Sequence, residues 1–265
     1  GRARSAPAKV RVGPGTLGPY KGGFMLRKLV TGLVVALLVA APAAAQTVDD
    51  IIARNLEAQG GIQKLKAVQT VRMTGRMTVG PGIEAPVTLE LKRPNMMRMD
   101  FTVQGMTGSQ AYDGKSGWSL MPFAGSPTPQ PMSPDDAKMA EEQADLDGPL
   151  MDYEAKGHTV ELLGKEQVEG TEVYRLKATK KDGTVTTFSI DAEHFLIIRQ
   201  EAKRTVRGTE MEIETIVGDY KEVGGLMMAH SIDGGAKGAP MRQKLTIEKI
   251  EINVPIDDTR FKMPK

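Results

Sequence analysis

Between Gln69 and Trp118 the chain alternates apolar and polar residues with a period of two. Val71, Met73, Gly75, Met77 and Val79 alternate with Thr70, Arg72, Thr74, Arg76 and Thr78. Val87, Leu89 and Leu91 alternate with Thr88, Glu90 and Lys92. In Asn95–Val103 the apolar set is Met97, Met99, Phe101 and Val103, set against Met96, Arg98, Asp100 and Thr102. This period belongs to strands with one dry and one wet face. Three successive strands of this kind predict a curved antiparallel sheet with a continuous apolar inner surface.

The same signature returns along most of the chain. Gly108–Tyr112 and Trp118–Met121 read as strands around the turn Asp113–Gly117. Val160–Val168, Val173–Thr179, Val185–Ile190, His194–Thr205, Glu210–Lys221, Leu226–Ile232 and Met241–Val254 follow, for about ten or eleven strands. Helices are few. Thr47 caps one that starts at Val48 and stops at Gly60-Gly61, with Ile62, Leu65 and Val68 adding a turn or two. The proline-rich stretch Pro122–Pro131 reads as a loop. Ser133 then caps a polar helix running to about Leu146, and Leu150–Lys156 predicts a second helical piece. A loop and helix set into a run of strands suggest a lid.

The first 45 residues follow another logic. Met25–Lys28 is a basic start, Leu29–Ala41 is mostly apolar, and Ala43–Ala45 offers a cleavage site ahead of Gln46. Leu29 to Ala45 is 17 residues, short of the roughly 20 that a spanning helix needs. The expectation is a signal peptide at 25–45, cleaved after Ala45, with 46–265 as one exported domain in the periplasm. Residues 1–24 read as a disordered extension or a mis-set start. Their Gly13-Pro14-Gly15-Thr16-Leu17-Gly18 matches a dinucleotide-binding pattern by letter only, because no strand precedes it and no helix follows.

The leader also alters the charge. Seven of the 35 Lys and Arg lie in residues 1–45 with no acid, leaving 28 bases against 33 acids in the remainder. Without its leader the chain is acidic, which removes the main ground for nucleic-acid binding. It has no cysteine, so neither disulfides nor a lipid-modified cysteine is expected, and a monomer is expected to rely on its core.

Catalytic and metal chemistry find little footing. His158, His194 and His230 stand 36 residues apart, outside any metal-ligand spacing. No G-x-S-x-G elbow or nucleophile–base pair is visible. The reading is a protein that is not an enzyme and carries neither metal nor cofactor. The acids Asp135, Asp136, Glu141, Glu142, Asp145 and Asp147 read as a solvated helix face. Methionine is the unusual feature, with 15 beyond the leader against one Trp, five Phe and four Tyr. Flexible thioethers suit a cavity that accepts apolar chains of varied shape. The candidate cavity residues are Met73, Met77, Leu89, Leu91, Met97, Met99, Phe101, Val103 and Trp118. A transmembrane barrel, the other alternating architecture, would need aromatic girdles that these few aromatics cannot supply.

Several short motifs resemble the LolA-like superfamily of outer-membrane lipoprotein carriers, in its branch of outer membrane lipoprotein-sorting proteins. They are Gly60-Gly61 ahead of Leu65-Lys66-Ala67-Val68, Lys92-Arg93-Pro94-Asn95, and Tyr112-Asp113-Gly114-Lys115-Ser116-Gly117-Trp118. Leu163-Gly164-Lys165-Glu166 with Val168-Glu169-Gly170, Tyr220 with Gly224-Gly225-Leu226, and the closing Phe261-Lys262-Met263-Pro264 continue the likeness. The resemblance implies a mainly β fold: an incomplete antiparallel barrel with helices over its open apolar side. It implies a carrier of the acyl chains of lipoproteins or lipids, working with inner- and outer-membrane sorting components. The same fold also implies an alternative, a lipid or envelope-stress sensor acting through a protein partner. The best-known carriers hold the lid with a cavity arginine, whereas Arg72, Arg76 and Arg98 all read as facing outward.

Overall fold

The computed structural model describes residues 46–264 apart from 81, 207 and 208, so the expected signal peptide and the residues before it lie outside the described residues. The strands are β1 (Thr70–Gly80), β2 (Ile83–Lys92), β3 (Met96–Val103), β4 (Met106–Tyr112), β5 (Gly117–Met121), β6 (Ser126–Pro131) and β7 (Thr159–Val168). After these come β8 (Thr171–Thr179), β9 (Val185–Asp191), β10 (Ile197–Val206), β11 (Thr209–Val223), β12 (Leu226–Ala236) and β13 (Gln243–Ile252). Helices α1 (Val48–Ala58) and α2 (Ile62–Ala67) precede the strands, and α3 (Pro134–Ala144) lies between β6 and β7.

All 13 strands form one antiparallel sheet in the order β6-β5-β4-β3-β2-β1-β13-β12-β11-β10-β9-β8-β7. Neighbours in sequence are neighbours in space, except β6 and β7, which stand at opposite ends. The first and last strands close on each other, Val71 facing Ile252 and Met77 facing Leu245. Among the described residues the sheet is therefore two meanders joined at their middle, with β6 and β7 as its edge strands. It bends at Gly75, where the β1–β13 register shifts and a side chain would collide with the backbone of Thr246.

Register turns the sequence alternation into a surface. Met73 faces Leu89, Leu89 faces Met99, Leu91 faces Met97, and Met97 faces Tyr112. The expected continuous apolar face is present, and the helices lie on it. The capping box of Thr47 and Asp50 starts α1. Ile51 and Ile52 of that helix are buried with Leu176, Phe188 and Ile190 of β8 and β9. Each such buried isoleucine contributes about 1.5–3 kcal/mol. Ser133 caps α3, whose Ala140 and Ala144 pack with Met97 and Tyr112 on the β3–β4 side.

The outer face is polar but far from loose. Glu90, only 2 % exposed, accepts from Arg72 Nε at 2.9 Å and Arg260 Nε at 2.6 Å. Arg98 donates to Asp100 at 2.9 Å and to the Arg260 carbonyl at 2.6 Å. The C-terminal turn Asp258–Phe261 thus covers the backs of β2–β4.

Two expected elements differ. The stretch read as a loop at 122–131 contains β6, which pairs with β5 through Trp118–Pro131 and Ser119–Gln130. Prolines are tolerated there because β6 is an edge strand, with no neighbour awaiting their missing N–H groups. Leu150–Lys156 forms turns and no helix, pinned by buried Leu150 and Met151. The strand expected from His194 begins at Ile197, and the one expected from Met241 begins at Gln243.

Candidate functional site

Where the two meanders meet, the inner face is hollow. A cavity of about 280 Å³ is walled by β1, β10, β11, β12 and β13, with Met73, Ile197, Tyr220, Met228, Ile232 and Ile247 among its apolar lining. Leu65 of α2 and Leu146, just beyond α3, line it from the helical side. Its few polar groups are mostly satisfied internally. Tyr220 donates to the Ile197 carbonyl at 2.7 Å, and burial pushes its phenol well above the ordinary value. Gln59 donates to Asn55 at 2.8 Å, and Asn55 in turn to the Phe195 carbonyl at 2.7 Å. Such walls offer shape and dryness and little that could hold a charge.

The residues singled out in the sequence divide over this geometry. Met73 lines the cavity. Met97 and Leu91 are buried in the packed core beneath α3, and Met77 and Phe101 in a smaller cluster with Val87. Leu89, Met99 and Val103 are partly buried on the same inner face. Trp118 corrects the expectation. It faces Ala111, which itself pairs with Arg98, so it stands on the outer face. There its indole donates to the Phe261 carbonyl at 2.9 Å, beneath the Arg98 guanidinium. It anchors the C-terminal turn and lies outside the cavity.

Tyr220, Met228, Ile232 and Ile247 had no place in the expected set, although their strands were foreseen. Their signal was the tandem Met227-Met228 just after Gly224-Gly225, in a chain already noted for its methionines. The acidic run around α3 is likewise only partly a solvated face. Glu142 pairs with Lys180 at 3.2 Å and Arg204 at 2.7 Å, and Lys138 pairs with Asp182 at 2.9 Å. Past the helix, Asp147 accepts from two nitrogens of Arg93, at 2.9 and 2.6 Å. Arg93 also donates to the carbonyls of Val68 and Leu65. That pairing holds the Asp147 carboxyl below the usual carboxylate range and raises Arg93. The segment is thus held by packing on the β3–β4 side and by ion pairs elsewhere. Arg72, Arg76 and Arg98 do face outward, and the arginines that reach the α3 segment are Arg93 and Arg204.

The histidines serve local structure. His158 accepts from the Lys181 N–H at 3.2 Å, His194 sits beside Asp191, and buried His230 contacts the Met228 carbonyl. Among the described residues, no three His, Asp or Glu side chains are placed to hold a metal ion. No helix among them is long and apolar enough to cross a membrane.

No family model matches the chain, and no curated protein matches it in sequence. Solved structures do match it in fold. An outer membrane lipoprotein-sorting protein domain from Vibrio parahaemolyticus superposes with a TM-score of 0.53 at 13% identity, over 78% of this chain and 95% of the other. A LolA superfamily protein from Nitrosomonas europaea gives 0.52 at 14% identity, over 82% and 98%. The chain shares the fold of these two proteins. A DUF1329 family protein from Desulfovibrio piger gives 0.53 at 12% identity, over 82% and 98%, so this LolA-like sheet also occurs under another family name. The open sheet with helices on its apolar side, expected from the sequence, is the one observed.

Proposed function

We propose that this protein binds lipids or lipoproteins in the periplasm, shielding acyl chains in its inner cavity, and serves lipoprotein sorting to the outer membrane. The observation that carries the reading is the apolar cavity on the inner face, lined by Leu65 and Leu146 beside an ion-paired helix. The likeness in fold to a lipoprotein-sorting domain supports it. The leader-like sequence at 25–45 supports a periplasmic site. A 16-carbon chain loses roughly 12 kcal/mol on entering water, at about 0.8 kcal/mol per methylene. Lipid therefore needs an escort to cross an aqueous compartment.

The volume sets a condition on this mechanism. About 280 Å³ lies at the lower edge of ligand sites, which span roughly 300–1,000 Å³. A full acyl chain needs the α3 segment to shift and the wall to adapt. Met73, Leu89 and Met99 extend the apolar wall away from the cavity on the same face, and two of the three are methionines that can re-pack. Native mass spectrometry of protein isolated from periplasm is the test. Adducts with lipid or lipoprotein masses are expected, and an empty protein together with failure to take up added lipid would refute the reading.

A further inference from the structure

The contact between α3 and β10 places charge where the cavity reading supplies none. Inner-face positions of β10 are fixed by register, with Gln200 facing Phe188 and Ala202 facing Thr186. Arg204 is next in that column, four residues from Gln200, which lines the cavity. At roughly 3.3 Å per residue its Cα is about 13 Å along the strand from the cavity wall. Lys180, at the start of the β8–β9 turn, reaches the same point. Both cations are partly buried, Lys180 at 22% and Arg204 at 19% side-chain exposure. Glu142 lies between them, one carboxylate oxygen at ion-pair distance from each and its Oε1 making no hydrogen bond, and is 15% exposed. The nearby Lys138–Asp182 pair is about half exposed and closes on itself.

A cation pair about 13 Å along the inner face from an apolar cavity, with Gln200 and Ala202 between, is the complement of an acyl chain that ends in an anion. We infer that Arg204 and Lys180 form a headgroup site for an anionic lipid, and that Glu142 occupies it in the empty protein as an internal stand-in. The inference rests on the cavity reading and refines it by naming the ligand class. Carboxylate and phosphate ends share the required chemistry. Loading exchanges one anion for another between the same cations, so neither a buried charge nor a buried cation pair is left alone. Ala140 and Ala144 keep α3 packed on the β3–β4 side, so that only its ion-paired side needs to open. The stand-in also sets selectivity, because a neutral lipid has nothing to offer in place of Glu142.

The test measures affinity for three probes sharing one acyl chain: a fatty acid, its methyl ester and a lysophosphatidic acid. In Glu142→Gln the preference for the fatty acid over the ester is expected to rise about tenfold, as for hydrogen bonds to charged groups. In the triple variant Glu142→Gln, Lys180→Gln, Arg204→Gln, where no buried charge is left unpaired, that preference is expected to vanish while ester binding persists. The lysophosphatidic acid separates a phosphate-selective site from a carboxylate-selective one, and a gain in Glu142→Gln with either acid supports the inference. Acid-to-ester ratios equal in wild type and both variants, with the ester still bound, would overturn the headgroup site and leave the cavity standing. Failure of every probe to bind any of the proteins would overturn both.

Discussion

Met73 and Met97 point to the same face of the sheet, yet a carboxylate placed at each is expected to act differently. Met97 is 1% exposed among Leu91, Tyr112 and the alanines of α3. In Met97→Glu an unpaired acid is forced into packed core, and the cooperative melt is expected to collapse. Met73 borders empty space. Met73→Glu is expected to weaken acyl-chain binding by about 1–3 kcal/mol while lowering the melting temperature far less. Equal loss of folding in both variants, read by thermal melting beside probe binding, would make the cavity ordinary core. Trp118 supplies the opposite control. It is 2% exposed on the outer face and bonded to the C-terminal turn, so Trp118→Ala is expected to cost about 3–5 kcal/mol of stability. Acyl-chain affinity measured below its melting point is expected to stay unchanged, and a selective loss of binding would return Trp118 to the site.

At the scale of elements, the segment from Ser133 to Asp147 is the part expected to move. Hydrogen exchange in α3 is expected to be fast in the empty protein and slow with lipid bound, and equal protection in both states would make the helix merely structural. Its Arg93–Asp147 tie has a definite pH response. The folded carboxyl lies below its ordinary value because of Arg93, so its contribution is complete above about pH 3.9 and is lost as pH falls through the folded value. Lid protection is therefore expected to be flat from pH 8 to 5 and to fail only in stronger acid; Asp147→Asn is expected to remove that acid step. A step near neutral pH that survives Asp147→Asn would assign the latch to another group. The strands, the caps Thr47 and Ser133, and the apolar face were legible because alternation and capping are local. Strand β6 was hidden by Pro127, Pro129 and Pro131, whose cost disappears only at an edge. The cavity was hidden for a different reason. It forms beside the seam where Val71 of the first strand meets Ile252 of the last, a pairing that no local pattern encodes. The same is true of Glu142, whose cationic partners Lys180 and Arg204 come from β8–β10.

The described residues form an open sheet with two differently used faces. The outer one is stitched by ion pairs around Glu90 and Glu201, both buried, while the inner one holds three apolar clusters and a hollow beside the largest. A sheet of this size could have filled that middle with aromatic side chains, but instead it places mainly aliphatic side chains, methionines and one tyrosine there. The central claim is that the hollow receives acyl chains. Its most direct test is titration of a fluorescent fatty acid against wild type and Ile232→Trp, which fills the space from the floor of β12. Saturable one-to-one binding by wild type is expected, weakened by at least an order of magnitude in Ile232→Trp with the melting temperature held or raised. No saturable binding by wild type, or the same affinity in a well-folded Ile232→Trp, would contradict the claim.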